Sequence, residues 1–317
     1  MKKFCLAMML IVVYTLVYAQ GWNYSSAVVL DAVEWNGDLW IATENGLQMH
    51  DLQDNRIVSY MRSSSGLPNN EVKSLVVDDN NILWIGTGNG LASFNGTRWN
   101  VFNRENSRIV DTDINSIAFD SRKRLWIATD DGGISVLDGS NWQSYTSEDS
   151  PLLSDEVMQV LVLPDGTIWL AADGGTVRIT GDIWTVYTDL SGSRPPRNST
   201  DVCVDPRGTV WLAHYEEIVS YDGENFSRHS LPDFNHQQPS INCFYPDFNG
   251  DLLVGTSVGI FGFNGSIWRK MDSLNTRLPH LCVNFISKNP RGELLIGTND
   301  GLVLISGESS RVFHTGQ

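Results

Sequence analysis

Basic side chains are scarce in this chain of 317 residues: 22 Lys and Arg stand against 37 Asp and Glu, for a formal net charge of −15. Binding a phosphate backbone requires a basic footprint, so this balance argues against a nucleic-acid partner. Cysteine is scarcer still, with four in the whole chain. Cys5 sits near the start; Cys203, Cys243 and Cys282 are odd in number and far apart. Neither a disulfide scaffold nor a zinc site is built that way. No apolar run after the first segment approaches the roughly 20 residues that a membrane-spanning helix needs. A sustained 3.6-residue apolar period, the mark of helical repeats, is missing as well.

The one long apolar run lies at the beginning. Lys2 and Lys3 precede Leu6 to Val17, and the small Ala19 stands before Gln20. That order is the order of a secretory signal, so residues 1–19 are expected to be removed on export and residues 20–317 to form the mature chain. Cys5 lies ahead of the apolar run, not at its end, so no lipid anchor is expected. Export to the periplasm or the cell exterior follows. Loss of the leader removes two basic residues and no acidic one, leaving 20 against 37 and a net charge of −17.

What the chain has in quantity is one repeated phrase. Leu39-Trp40-Ile41-Ala42-Thr43 recurs as Leu83-Trp84-Ile85-Gly86-Thr87, Leu125-Trp126-Ile127-Ala128-Thr129 and Ile168-Trp169-Leu170-Ala171-Ala172. It then drifts through Val210-Trp211-Leu212-Ala213, Leu252-Leu253-Val254-Gly255-Thr256 and Leu294-Leu295-Ile296-Gly297-Thr298. Anchored on the Trp or its Leu replacement, the units start from positions 40, 84, 126, 169, 211, 253 and 295, at spacings of 42 to 44 residues. Such a period fills the mature chain and leaves no room for a second domain.

Each unit reads as four short strands. The second shows them as Val72 to Val77, Leu83 to Thr87, Leu91 to Phe94 and Trp99 to Phe102. An Asp six residues before the anchor (Asp78, Asp120, Asp205, Asp247) suits a turn whose N–H groups its carboxylate accepts. A Gly six residues after it (Gly46, Gly90, Gly132, Gly175, Gly259, Gly301) suits a backbone with positive φ. Asn95-Gly96, Asp138-Gly139, Asp222-Gly223 and Asn264-Gly265 are hairpin turns before the last strand. The anchor strands are apolar on both faces, as expected of small sheets sandwiched between neighbours. The fold class is therefore all-β, a seven-bladed β-propeller with four-stranded blades, whose closed ring protects its strand edges. The recurring Trp is expected to pack between blades. Arg311 to Thr315 is expected to serve as the outer strand of the seventh blade, with Gly21 to Tyr24 beside it. Cys203, Cys243 and Cys282 lie 8, 10 and 13 residues before their anchors, at different depths in separate blades, and are expected to be buried unpaired thiols.

The stretch Asp120-Ser121-Arg122-Lys123-Arg124-Leu125-Trp126-Ile127-Ala128-Thr129-Asp130-Asp131-Gly132-Gly133 resembles the two-component regulator propeller repeats, and the resemblance extends over the mature chain. It implies the fold of the periplasmic sensing part of bacterial hybrid sensor kinases, often for carbohydrate fragments, or of free-standing secreted propellers. The sequence ends at Gln317, after the seventh unit, with no immunoglobulin-like spacer, membrane helix or kinase. Sensing would then require a partner. A weaker resemblance, to the virginiamycin B lyases, implies metal-assisted opening of a cyclic peptide lactone, but the catalytic His and acidic ligands of that family find no shared motif here.

Visible chemistry is sparse. Gly255-Thr256-Ser257-Val258-Gly259 matches a hydrolase elbow, yet the same slot reads Gly86-Thr87-Gly88-Asn89-Gly90 in the second unit, and the elbow needs a following helix. Asp78-Asp79 and Asp130-Asp131 fall in repeated turns and read as solvated. More informative is the fifth unit, where His214 replaces Thr, Glu217 replaces Gly, and Tyr215 and Glu216 stand between. Flanking connections supply Arg194, Arg197, His236 and His280. Drift of polar loops gives the same pattern, but loops on a rigid scaffold are where function resides. The seven residues Arg194, Arg197, His214, Tyr215, Glu216, His236 and His280 form the candidate ligand site. No metal or cofactor is expected. The function read from the sequence is an exported, non-catalytic binding module for a glycan fragment or protein partner. Two rivals are a metal-assisted lyase or hydrolase, to which a divalent ion on His214, Glu216 and His236 would point, and a structural component of a surface assembly.

Overall fold

The structure is a computed structural model, and it describes residues 27–187, 199–214, 217–231, 239–247, 251–271 and 278–315. Among the described residues twenty-eight strands form seven four-stranded antiparallel sheets, each drawn from one contiguous segment in simple sequence order. No helix occurs among the described residues. Blade 2 has strands Val72–Val77, Leu83–Thr87, Gly90–Phe94 and Trp99–Phe102, one residue away from the reading of the sequence. The repeat is thus the blade.

Second strands are buried on both faces; in blade 3 every residue of Leu125–Thr129 is buried. Each anchor Trp stacks on an aromatic ring at the end of its own fourth strand: Trp40 on Tyr60, Trp84 on Phe102, Trp126 on Tyr145 and Trp169 on Tyr187, with centroids 5.3 to 6.0 Å apart. In blade 5 His229 takes that place beside Trp211, at 5.0 Å. The Trp also serves a second purpose. Asp78, Asp120 and Asp205 accept the anchor indole N–H on Oδ2 at 3.1, 3.0 and 3.3 Å, while Oδ1 accepts two backbone N–H groups of the turn. One carboxylate closes the turn and satisfies the buried ring.

Glycine after the anchor is required by space as much as by φ. At Gly46 φ is 123°, and a Cβ would lie 2.7 Å from the Tyr60 carbonyl oxygen. Blade 3 departs from the expected spacing. Its equivalent residue is Gly133, with φ 73°, whose carbonyl accepts from Thr129 Oγ1; Gly132 does not have positive φ. One extra residue in that turn shifts the position.

Every described inner strand carries a bulge near its start. The residue after the bulge reaches the next blade: Asp31 accepts from Leu75 N, Ser74 from Ile117 N, Ser116 from Val160 N, Gln159 from Val202 N and Asp201 from Phe244 N, at 2.6 to 3.3 Å. Hydrogen bonds thus tie neighbouring blades around the axis. Blades 6 and 7 have Cys243 and Phe285 at that position, so their junctions, including the last between blades 7 and 1, rely on other contacts. Val29, Ala32, Leu39 and Ile41 pack on Leu295, Leu302, Leu304 and Phe313. Glu34 holds Arg291 and Asn289, and Thr315 bonds Ala27 and Gln48. The fourth strand of blade 7 is Ser309–Phe313, so the expectation for Arg311 to Thr315 holds in position if not in bounds. Gly21 to Tyr24 lie outside the described residues.

Candidate functional site: the channel mouth

Strand registers fix which loops meet. In blade 2 the start of the inner strand, Val72, pairs with Thr87 at the end of the second, and Leu91 pairs with Phe102 at the end of the fourth. Turns between second and third strands and connections between blades therefore share one rim. Below this mouth the inner strands enclose a central cavity of about 510 Å³, lined in part by Lys73, Asn115, Met158, Gln159, Asn242 and Asn284. Bulges turn one column of side chains inward. Asn115 Nδ2 donates to Val157 O at 3.1 Å and Asn242 Nδ2 to Val283 O at 2.9 Å, so two of these also tie neighbouring blades.

The inner rim is built from two columns joined by backbone hydrogen bonds: Glu44 to Val28, Gly88 to Glu71, Asp130 to Asp113, Asp173 to Glu156, Ser257 to Ser240 and Asn299 to Cys282. Carboxylates gather on blades 1 to 4, whereas the described pairs of blades 6 and 7 are uncharged. Burial holds the Glu156 carboxyl above its usual range, with Asp173, Asp130 and Asp131 adding repulsion. Lys73 Nζ partly neutralises the arc, 2.6 Å from Asp113 and 3.1 Å from Asn115. Among the described residues no group of three His, Cys, Asp or Glu could hold a metal ion.

Of the residues singled out in the sequence, Arg194, Arg197, Tyr215, Glu216 and His236 lie outside the described residues. The backbone of His214 ends the second strand of blade 5, Val210–His214, paired with Ser199 and Glu217. Glu217 bonds Arg228 at 3.1 Å. His280 is exposed, and its Nδ1 accepts from Cys282 N at 2.9 Å, an arrangement that closes a local turn. Ser257 lies in a hairpin between strands Leu252–Thr256 and Gly259–Phe263, so the hydrolase pattern there makes no nucleophile elbow. The acidic arc went unread in the sequence. Its signal is a column: Glu71, Asp113 and Glu156 each stand 13 residues before an anchor.

The profile described as two component regulator propeller matches residues 66–89 and 109–131. No curated protein matches the sequence. Among solved structures, the extracellular domain of a hybrid two component system from B. thetaiotaomicron superposes with a TM-score of 0.73 at 20% identity, covering 89% of this chain. This chain spans 38% of that one. Virginiamycin B lyase from Staphylococcus aureus gives 0.70 at 13% identity over 87% of this chain and 93% of its own. PorZ, a bacterial surface component of the type-IX secretion system of Porphyromonas gingivalis, gives 0.68 at 17% identity, covering 92% of this chain and 47% of its own. At these identities the likeness establishes the fold. With seven blades in the ring and the family's profile matched within blades 2 and 3, the chain is a seven-bladed propeller carrying the two-component regulator propeller repeat.

Proposed function

We propose that the protein is an exported, non-catalytic binding or sensing module whose channel mouth receives a glycan fragment. The observation that carries this reading is the division of charge around the mouth: carboxylates on blades 1 to 4, and Arg and His concentrated by sequence in the connections around blade 5. Carboxylates accept sugar hydroxyls, and guanidinium groups supply paired donors for an acidic sugar substituent. A cationic sector on a chain of net charge −15 would also draw anionic ligands to that side. Relatives of the same fold include an extracellular domain of a two component system and a bacterial surface component, which supports an exported setting.

The test is a titration against acidic and neutral oligosaccharides, with Arg197→Ala, His214→Ala and Tyr215→Ala beside Asp130→Ala on the opposite arc. Loss of affinity in the first three with unchanged melting supports the sector Arg194, Arg197, His214, Tyr215, Glu216, His236 and His280. Affinity that survives all three but falls in another part of the ring removes it. A divalent ion retained by His214, Glu216 and His236 would redirect the reading to a metal-assisted enzyme.

A further inference from the structure

Blade 6 lacks the indole that blades 1 to 5 place over their second strand. Its anchor is Leu253, and the residue at the end of the fourth strand, where Tyr60, Phe102, Tyr145 and Tyr187 stack elsewhere, is Met271. The third-strand residue paired with the anchor is Gly262, where blades 3 and 4 have Val136 and Arg178. A Cβ built on Gly262 would meet only ordinary contacts, Met271 Sδ at 3.7 Å and Leu253 Cδ2 at 3.8 Å. Three reductions in one place leave a groove of about 370 Å³ between blades 6 and 7, lined by Leu253, Gly262, Met271, Leu294, Ile267 and Asp247 among others.

We propose that this groove takes a tryptophan side chain from a partner polypeptide, completing in trans the ring-over-strand contact that blades 1 to 5 make internally. Asp247 stands six residues before the anchor, where Asp78, Asp120 and Asp205 accept an indole N–H. Here it lines the groove and pairs with Lys288 of blade 7 at 2.7 Å. A carboxylate presents about four lone-pair sites, so an indole N–H can be added to the donors it already has. Ile267 and Met271, 55% and 39% exposed, present apolar surface at the opening, and thioether–aromatic contact favours a ring there. The groove opens beside the fourth strand Trp268–Lys270, the outer edge of its sheet, which carries Arg269 and Lys270. An extended chain with an acidic residue next to its Trp complements that edge. This site lies beside the turns Asp247–Asp251 and Asn264–Ile267, at the end of the blade opposite the channel mouth, and is independent of that rim.

The probe is the blocked peptide acetyl-Asp-Trp-Gly-amide, titrated into protein carrying 13C-methyl methionine. A saturable shift of the Met271 methyl resonance is expected, with affinity about tenfold weaker for the Nε1-methyl indole and phenylalanine versions, the loss expected for one hydrogen bond to a charged acceptor. Leu253→Trp, which restores the repeat, and Gly262→Val, which fills the floor, are each expected to abolish the shift. Ile183→Ala, a change at an exposed apolar residue of blade 4, is expected to leave it intact. No Met271 response, or a response that persists in both filled variants, overturns the proposal. Equal affinity for free indole also overturns it, because a small molecule would then be the occupant.

Discussion

A single carboxylate does two jobs in blades 2, 3 and 5, and Asp120 shows the balance. Burial pushes its pKa up, but the Trp126 indole, the Arg124 backbone N–H and the Arg124 guanidinium more than offset this, so it lies below the usual carboxylate range. Asp120→Ala leaves the buried Trp126 N–H and two turn N–H groups without their acceptor. A loss of about 2 kcal/mol or more is expected in denaturant unfolding; an unchanged midpoint would show that water replaces the carboxylate. Thiols give a second prediction at this scale. Cys203, Cys243 and Cys282 are free, the first two buried and the third half-buried, so Cys282 corrects the expectation that all three are buried. Titration of the denatured, unreduced mature chain should find three thiols, and a count of one would mean that a bridge forms.

The inner strand is the element that makes the ring, because its bulge aims one side chain at the next blade. In blades 1 and 5 that side chain is a carboxylate, half-buried at Asp31 and buried at Asp201. Burial raises Asp31 and Asp201 to about 7, against the pull of backbone hydrogen bonds from Leu75 and Ala32, and from Phe244 and Val202. Folded protein therefore binds more protons than unfolded chain between the ordinary carboxylate range and about pH 7, and stability falls as pH rises through that window. Burial, with repulsion from Arg311, lowers His50 to about 4, and burial lowers His229; these destabilise as pH falls below the ordinary His value. Between pH 8 and 6.5 the Asp contribution dominates, so acidification should raise stability by about 1 kcal/mol. Melting curves across that interval check it, and Asp201→Asn should reduce the slope by more than half, because the opposing His contribution is unchanged. A flat profile in the parent would contradict the assignment.

For the whole molecule, the last junction decides integrity. Among the described residues no strand is exchanged between blades 7 and 1, and the junction is held by the apolar cluster around Phe313 and by Glu34, Arg291 and Thr315. Deleting residues 307–317 would remove the outer strand of blade 7 and uncover Leu302 and Leu304, and loss of a single cooperative transition is expected. A truncated chain that melts like the parent would show that the ring does not need this strand. Export makes the other prediction at this scale. The order of Lys2, Lys3, the apolar run and Ala19 places cleavage before Gln20, so mass spectrometry of secreted protein should find Gln20 as the first residue. A retained N-terminus would oppose it.

Period and turn chemistry were determined by the sequence alone. A strand of four to six residues bounded by Asn-Gly, Asp or positive-φ Gly has one local solution, and its repetition at 42 to 44 residues specifies equal blades, which is why the strands of blade 2 were legible within a residue. The groove over Leu253 was half legible, as a missing Trp; that the missing volume stays open depended on Gly262 and Met271 from other strands. Indole capture by Asp78, Asp120 and Asp205, the ties from Asp31 and Asp201, and the carboxylate arc of Glu71, Asp113 and Glu156 belonged to tertiary structure. Each joins residues of different strands or blades, and only closure of the ring brings residues some 43 positions apart into contact and takes water from between them.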